Sequence, residues 1–314
     1  MVRCRFFNLS LNGEDEVSVL DSGVYWNRQN IIDLDVAYVH GFTYMNPVIP
    51  DPDKDQDWSV WQADYLIKQQ KFSFLFSLFE ELHRRGVVLV NPPRTHVQNF
   101  MKPFLLERVR NLGFTVPRLI CSNHMPSIVD FCNKIGKVVW RPATGRAVWQ
   151  LFLDKQRMSL VSPDSPPILV AECIEGPLIR GYLYDGVPLL FLEFSAPDLD
   201  PPERLESIWS VDCSEAVEVL QRLTVETGVR WAQVSFVFSD GKPWIYDIDP
   251  DPILEWLPDA YKDNLIAKLS YMIAGEKDKA IDLPSTTHPE ERPVMLLRRM
   301  LRILFEFEKV KYSS

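Results

Sequence analysis

The stretch Tyr246-Asp247-Ile248-Asp249-Pro250-Asp251-Pro252 decides how this chain is read. It closes an apolar run, Trp244 to Ile248, that follows a second such run, Trp231 to Phe238. Between them stands Asp240-Gly241, a pair that favours the tight turn of a hairpin. Residues two apart on a strand share a face, so Asp247 and Asp249 present their carboxylates side by side. Pro250 and Pro252 cannot continue a ladder, which leaves both acids at a strand end. Paired hard oxygen ligands at such a place suit Mg²⁺, which takes one or two carboxylates together with phosphate oxygens. A calcium loop of the EF-hand type, counted from Asp247, needs glycine sixth and glutamate twelfth, where Pro252 and Pro258 stand. That alternative is excluded. Standing alone, the same residues also describe an acidic surface turn.

They do not stand alone. Upstream, Asn99 to Leu112 has helical spacing with Lys102 at its opening and Gly113 as its stop. Val116 to Ile120 is strand-like. Ser127 to Ile135 reads as a helix opened by serine and closed by Gly136. Lys137 to Arg141 is a strand that delivers Arg141 to the loop Pro142-Ala-Thr-Gly145-Arg146. Sites that handle phosphate combine such cations with a glycine-containing loop. Ile168 to Ala171 is a strand running into Glu172-Cys173-Ile174-Glu175-Gly176, followed by Arg180 and by a two-part strand from Gly181 to Phe194 turning at Asp185-Gly186. Ser214 to Thr227 reads as a helix with a serine cap and Gly228 at its end. Near the amino terminus, Val17 to Leu20 and Ile31 to Val39 are short strands, and the acidic Asp51 to Asp57 is a loop. Trp61 to Arg85 is a helix and Val87 to Val90 an apolar strand, a strand–helix–strand order that predicts an α/β lobe with parallel pairing.

Taken in order, these pieces resemble the ATP-grasp superfamily, with its ribosomal S6–glutamate ligase and glutathione synthetase branch the nearest in flavour. The resemblance rests on Asn91-Pro-Pro93, on Lys102 in its helix, on Gly136-Lys-Val-Val-Trp-Arg-Pro142, on Ile168 to Arg180 and on Asp240 to Pro252, and spans about residues 65 to 255. It implies an α/β chain of α+β lobes: an amino-terminal α/β lobe (1–96), two lobes that clasp a nucleotide (97–170 and 171–275), and a linker with a carboxy-terminal amphipathic helix (276–314). It further implies that Lys102, Arg141 and Gly145 bind the phosphates of ATP. The hinge at Glu172, Cys173 and Ile174 would hold adenine through backbone groups, with Glu175 at the ribose or the adenine edge. Arg180 would be the catalytic cation beside the carboxylate substrate or the transferring phosphoryl group, and Asp247 and Asp249 would hold Mg²⁺. The implied reaction is carboxylate–amine ligation through an acyl phosphate. A nucleotide- or partner-binding protein without turnover, and a small-molecule kinase, are the alternatives on the same scaffold. Arg141 stands where the superfamily usually has lysine, Ser235 where an acidic metal ligand is common, and the loop at Gly145 is poor in glycine.

Composition narrows the remaining classes. The 314 residues include 34 Lys and Arg against 43 Asp and Glu, a net charge of −9, which argues against a general nucleic-acid binder. Neither a signal peptide nor a run of about 18 apolar residues is present, so a cytoplasmic protein without a membrane span is expected. Cys4, Cys121, Cys132, Cys173 and Cys213 are odd in number and contain no Cys-x-x-Cys pair, which fits neither a disulfide framework nor a zinc site. No Gly-x-Ser-x-Gly, Gly-x-Gly-x-x-Gly or Walker-type loop occurs. The expected partner is a small molecule or peptide bearing a carboxylate. Val294 to Lys309 reads as an apolar-basic helix that packs on its own domain or on a second copy in a homo-oligomer.

Overall fold

The computed structural model describes residues 16–40, 57–143, 150–151, 166–195, 207–254 and 257–275. The chain divides into two compact units, Met1–Val97 and Gln98–Ser314. The loop at Gly145 and the segment Val294 to Lys309 lie outside the described residues, as does the span from 276 onward.

In the first unit, β1 (Val17–Leu20), β2 (Gly23–Trp26) and β3 (Gln29–Asn30) form an antiparallel sheet. The long helix α1 (Trp58–Arg84) then connects β4 (Val36–Tyr38) to β5 (Val88–Val90), which pair in parallel as the strand–helix–strand order requires. Only Val36–Tyr38 of the expected strand Ile31 to Val39 forms: the Asn30 side chain accepts the Ile32 N–H and turns the chain away from the ladder. Helix α1 begins three residues before its first expected position because the Asp57 carboxylate accepts the Ser59 N–H and caps it. Its carboxy-terminal half supplies Leu75, Leu78, Phe79 and Leu82 to a core with Val24, Trp26, Ile31 and Leu89. The short α2 (Pro93–Val97) ends the unit.

The second unit holds two antiparallel sheets. One has the order β6-β9-β7-β8, from β6 (Leu119–Ser122), β7 (Val138–Pro142), β8 (Gln150–Leu151) and β9 (Ile168–Glu172). Its faces separate by alternation. Val139, Leu169 and Ala171 join the main core, whereas Val138, Ile168 and Val170 pack against Ile128 of α4 (Met125–Ile135). Coverage of both faces explains why Ile168 to Ala171 is apolar throughout. Helix α4 opens two residues earlier than its serine suggested. His124 precedes it, and Ser127 lies inside the first turn, its hydroxyl 2.8 Å from the His124 ring.

The other sheet runs β12-β11-β10-β13-β14, from β10 (Leu178–Tyr184), β11 (Val187–Ser195), β12 (Ser207–Ser210), β13 (Trp231–Ser239) and β14 (Lys242–Asp249). One face carries Ile179, Leu183, Ala232, Val234, Phe236, Ile245 and Ile248 into the main core. Leu105, Leu106 and Val109 of α3 (Lys102–Asn111) and Leu220 and Leu223 of α5 (Ser214–Thr227) complete that core. At α5 the N-cap position is Cys213 rather than the serine, and the carboxylate of Asp212 before it accepts the N–H of Ser214. Helix α6 (Asp259–Ile273) follows β14 and buries Tyr261, Leu265 and Leu269.

Candidate active site

The face of the second sheet turned away from the main core gathers polar residues. Register sets Arg180 opposite Ser235 and Ser235 opposite Asp247, and in the next row Tyr182 opposite Gln233 and Gln233 opposite Asp249. All six share one face, because each strand contributes residues two apart. The hairpin expected at Asp240-Gly241 forms, and the acids stand at its end.

Both expected phosphate cations converge on Asp247. The Lys102 ammonium donates to Asp247 Oδ1 at 2.6 Å and to the Ile248 carbonyl at 2.7 Å. Arg141 Nη1 donates to Asp247 Oδ2 at 2.7 Å. Each cationic side chain is 1% exposed, whereas Asp247 is 15% exposed, so solvent reaches this triad from the carboxylate side. Desolvation is the largest influence on the Asp247 carboxyl and pushes it up. The attraction of Lys102 and Arg141 and their hydrogen bonds overcome it and hold the group at about 2. Asp249 is buried, and its Oδ1 accepts the N–H of Asp251. Arg180 is half-buried. Desolvation draws its pKa down, opposed by Tyr182, Asp247 and Asp249, and it stays charged.

Both Asp247 oxygens are thus engaged by cations, one on each, and each oxygen keeps a further lone pair. Among the described residues no three His, Cys, Asp or Glu side chains cluster to hold a metal.

The segment Glu172 to Glu175 joins the two sheets. The Glu172 side chain is drawn outward by Arg118 in a two-pronged ion pair at 2.7 and 2.8 Å, which lowers its carboxyl pKa. Burial pushes the Cys173 thiol up. Glu175 is exposed. The backbone N–H groups here are already committed. Glu172 N–H donates to the Arg118 carbonyl, Cys173 N–H to the Lys137 carbonyl, and Ile174 N–H to the hydroxyl of Tyr246 at 2.9 Å. That hydroxyl in turn donates to the Glu172 carbonyl at 2.7 Å. Tyr246 reaches them through a β-bulge: Ser235 pairs with Asp247 but Phe236 pairs with Ile245, so Tyr246 is the extra residue of β14.

Sequence reasoning missed four participants. Tyr246 was hidden because plain alternation gives no warning of a bulge. Tyr182 and Gln233, whose hydroxyl and carboxamide oxygen are hydrogen-bonded at 3.1 Å, emerge only from strand register. Arg118 became visible once β6 and β9 were neighbours.

No protein-family model matches the sequence, and no curated protein matches it. Solved structures do. The chain is similar to the ATP-grasp ligase PsnB complexed with a minimal precursor, Mg and ADP, with a TM-score of 0.62 and 19% identity, covering 82% of this chain and 86% of that one. It is similar to the macrocyclase MdnC bound with precursor peptide MdnA from Microcystis aeruginosa MRC, with a TM-score of 0.63 and 11% identity, over 87% and 90%. A Chryseobacterium gregarium RiPP-associated ATP-grasp ligase, in complex with ADP and a leader and core peptide, gives 0.58 and 13%, over 81% and 83%. The fold is therefore that of the ATP-grasp ligases, a mixed α/β architecture. Among the described residues no helix is long and apolar enough to cross a membrane.

Proposed function

We propose that this chain is an ATP-dependent carboxylate–amine ligase whose acid substrate is carried on a peptide. The observation that carries this reading is the convergence of Lys102, Arg141 and Arg180 on the polar sheet face of an ATP-grasp fold. Three cations gathered at one face offer charge-assisted donors to an incoming anion such as the phosphates of ATP. The hinge at Glu172 to Ile174, with Glu175 beside it, would meet the base and ribose, and Lys102 and Arg141 the phosphates. The loop at Gly145 would close over them. In the reaction a substrate carboxylate oxygen attacks the γ-phosphorus and ADP departs, giving an acyl phosphate. An amine then attacks the acyl carbon, and phosphate leaves as the amide forms. Arg180 would neutralise charge on the acyl phosphate, so the protein contributes position and electrostatics. Solved relatives in fold that bind precursor peptides support a peptide as the carrier of the acid. The proposed lobes are residues 1–96, 97–170 and 171–275.

The test is ADP release on mixing the protein with ATP, Mg²⁺ and acidic peptides, with and without an amine. Arg180→Ala is expected to remove ADP release while nucleotide binding survives. Peptide-stimulated release that is unchanged by that variant refutes the assignment. A second reading, a nucleotide binder without turnover, is favoured by the engagement of both Asp247 oxygens. It predicts nucleotide binding with no ADP formed from any acid–amine pair.

A further inference from the structure

Tyr246 and Asp247 are adjacent in sequence and engage the two halves of the proposed nucleotide site from opposite sides of one strand. The Tyr246 hydroxyl donates to the Glu172 carbonyl and accepts from the Ile174 N–H. A purine edge that carries an amino group beside a ring nitrogen presents the same pair, one donor and one acceptor, to a stretch of backbone. The Asp247 carboxylate offers its two oxygens to Lys102 and Arg141, at 2.6 and 2.7 Å, as a phosphate would. The bulge at Ser235/Phe236 sets Tyr246 beside Ile245 on the core side of the strand, with Asp247 on the polar side.

We propose that Tyr246 and Asp247 are an internal stand-in for a nucleotide, the hydroxyl taking the place of a base edge and the carboxylate that of a phosphate, so that a nucleotide binds by displacing them. The proposal rests on the reading of this site as nucleotide-binding and adds a gate to it. The hinge has no free N–H among Glu172, Cys173 and Ile174 until Tyr246 withdraws from Ile174. Lys102 and Arg141 are each only 1% exposed against 15% for Asp247, so an anion approaching from solvent meets Asp247 first. Both halves are thereby self-satisfied, and affinity for nucleotide is lowered by the work of breaking these contacts. Base and phosphate are controlled separately, so each residue can be tested by itself.

The experiment is calorimetric titration of the full chain with ADP, in EDTA and again in Mg²⁺, for the wild type, Tyr246→Phe, Asp247→Asn and Asp247→Asn combined with Lys102→Met. Thermal melts confirm that each is folded. Tyr246→Phe keeps the ring and is the milder change, so it decides the matter if Asp247→Asn does not fold. Without metal, ADP is expected to bind about threefold or more tighter to Tyr246→Phe, the value of a neutral hydrogen bond no longer broken, and about tenfold or more tighter to Asp247→Asn, where the bonds are charge-assisted. The second gain should vanish when Lys102 is also replaced. Wild-type binding that is unchanged or weakened in both variants overturns the stand-in and leaves the nucleotide site intact. Loss of only the Mg²⁺-dependent part in Asp247→Asn, with metal-free affinity unchanged, overturns the phosphate half in favour of a metal ligand. Absence of ADP binding in the wild type and in every folded variant overturns both the gate and the site beneath it.

Discussion

Replacing Asp247 by asparagine should cost more stability than replacing Lys102 by methionine, and the reason is a count of charges. The native triad sets two cations, each 1% exposed, against one carboxylate. Lys102→Met keeps the Arg141–Asp247 pair and removes the ammonium's bond to the Ile248 carbonyl. A buried acceptor left short of a partner costs about 1–3 kcal/mol. Asp247→Asn leaves both cations facing an amide, and a buried ion pair broken from one side costs about 3–5 kcal/mol. A carboxyl held at about 2 instead of near 4 supplies, by itself, about 2–3 kcal/mol of this at neutral pH. Because its folded-state pKa is depressed, that contribution is fully present above about pH 4 and is lost as the pH falls toward about 2. Urea unfolding of the three proteins at pH 7 measures the order. Repeating wild type and Asp247→Asn at steps from pH 5 to about pH 2.5 should show their difference shrinking, and other carboxylates cancel because both proteins carry them. A variant within about 1 kcal/mol of wild type at pH 7 would refute the reasoning, as would Lys102→Met being the costlier change.

Two further outcomes follow from local geometry. Gly176→Ala should lower stability by about 1–3 kcal/mol, since φ is +139° there and a Cβ would lie 2.8 Å from Val237 Cγ1 and 3.1 Å from the Phe238 carbonyl; an unchanged unfolding midpoint would contradict this. Arg118→Ala should leave the unfolding midpoint nearly unchanged although its pair with Glu172 is short and two-pronged, because the arginine is 63% exposed; a clear loss by denaturant titration would mean that the pair holds β6 to β9.

Much of the carboxy-terminal half was legible because its elements are bounded by residues with one strong conformational preference. Asp240-Gly241 marked the β13–β14 hairpin, Asp185-Gly186 the β10–β11 turn, and Gly228, in the left-handed conformation, the end of α5. Caps were read less well. At Ser127 and Ser214 the serine lies inside the helix, where its hydroxyl competes for nearby groups, and the preceding residues set the start. Lys102, Arg141 and Asp247 could be nominated from sequence as charged residues at element ends. Their meeting could not, because α3, β7 and β14 are brought together by a core whose contacts span more than a hundred residues. The bulge was beyond reach for a simpler reason: Trp244, Ile245 and Tyr246 are all apolar, so nothing in that stretch marks where the alternation shifts.

Ser235 gives the site its electrostatic character. It lies between Arg180 on β10 and Asp247 on β14, on the face that carries every candidate ligand. An acid at that position would be a further carboxylate for a metal and would balance Arg180. With serine there, the charged groups named for this site are Lys102, Arg141 and Arg180 with Asp247 and Asp249. In a partly desolvated setting an added carboxylate would compete with an arriving anion for these cations. The same substitution therefore acts in opposite directions on the two groups expected here: it improves the fit for phosphate or carboxylate and weakens it for a divalent cation. A ligase with this face must draw its metal affinity from the nucleotide's own oxygens more than from protein carboxylates, whereas a non-catalytic binder needs no metal at all. Dependence of nucleotide affinity on Mg²⁺ is thus the property on which the two readings part.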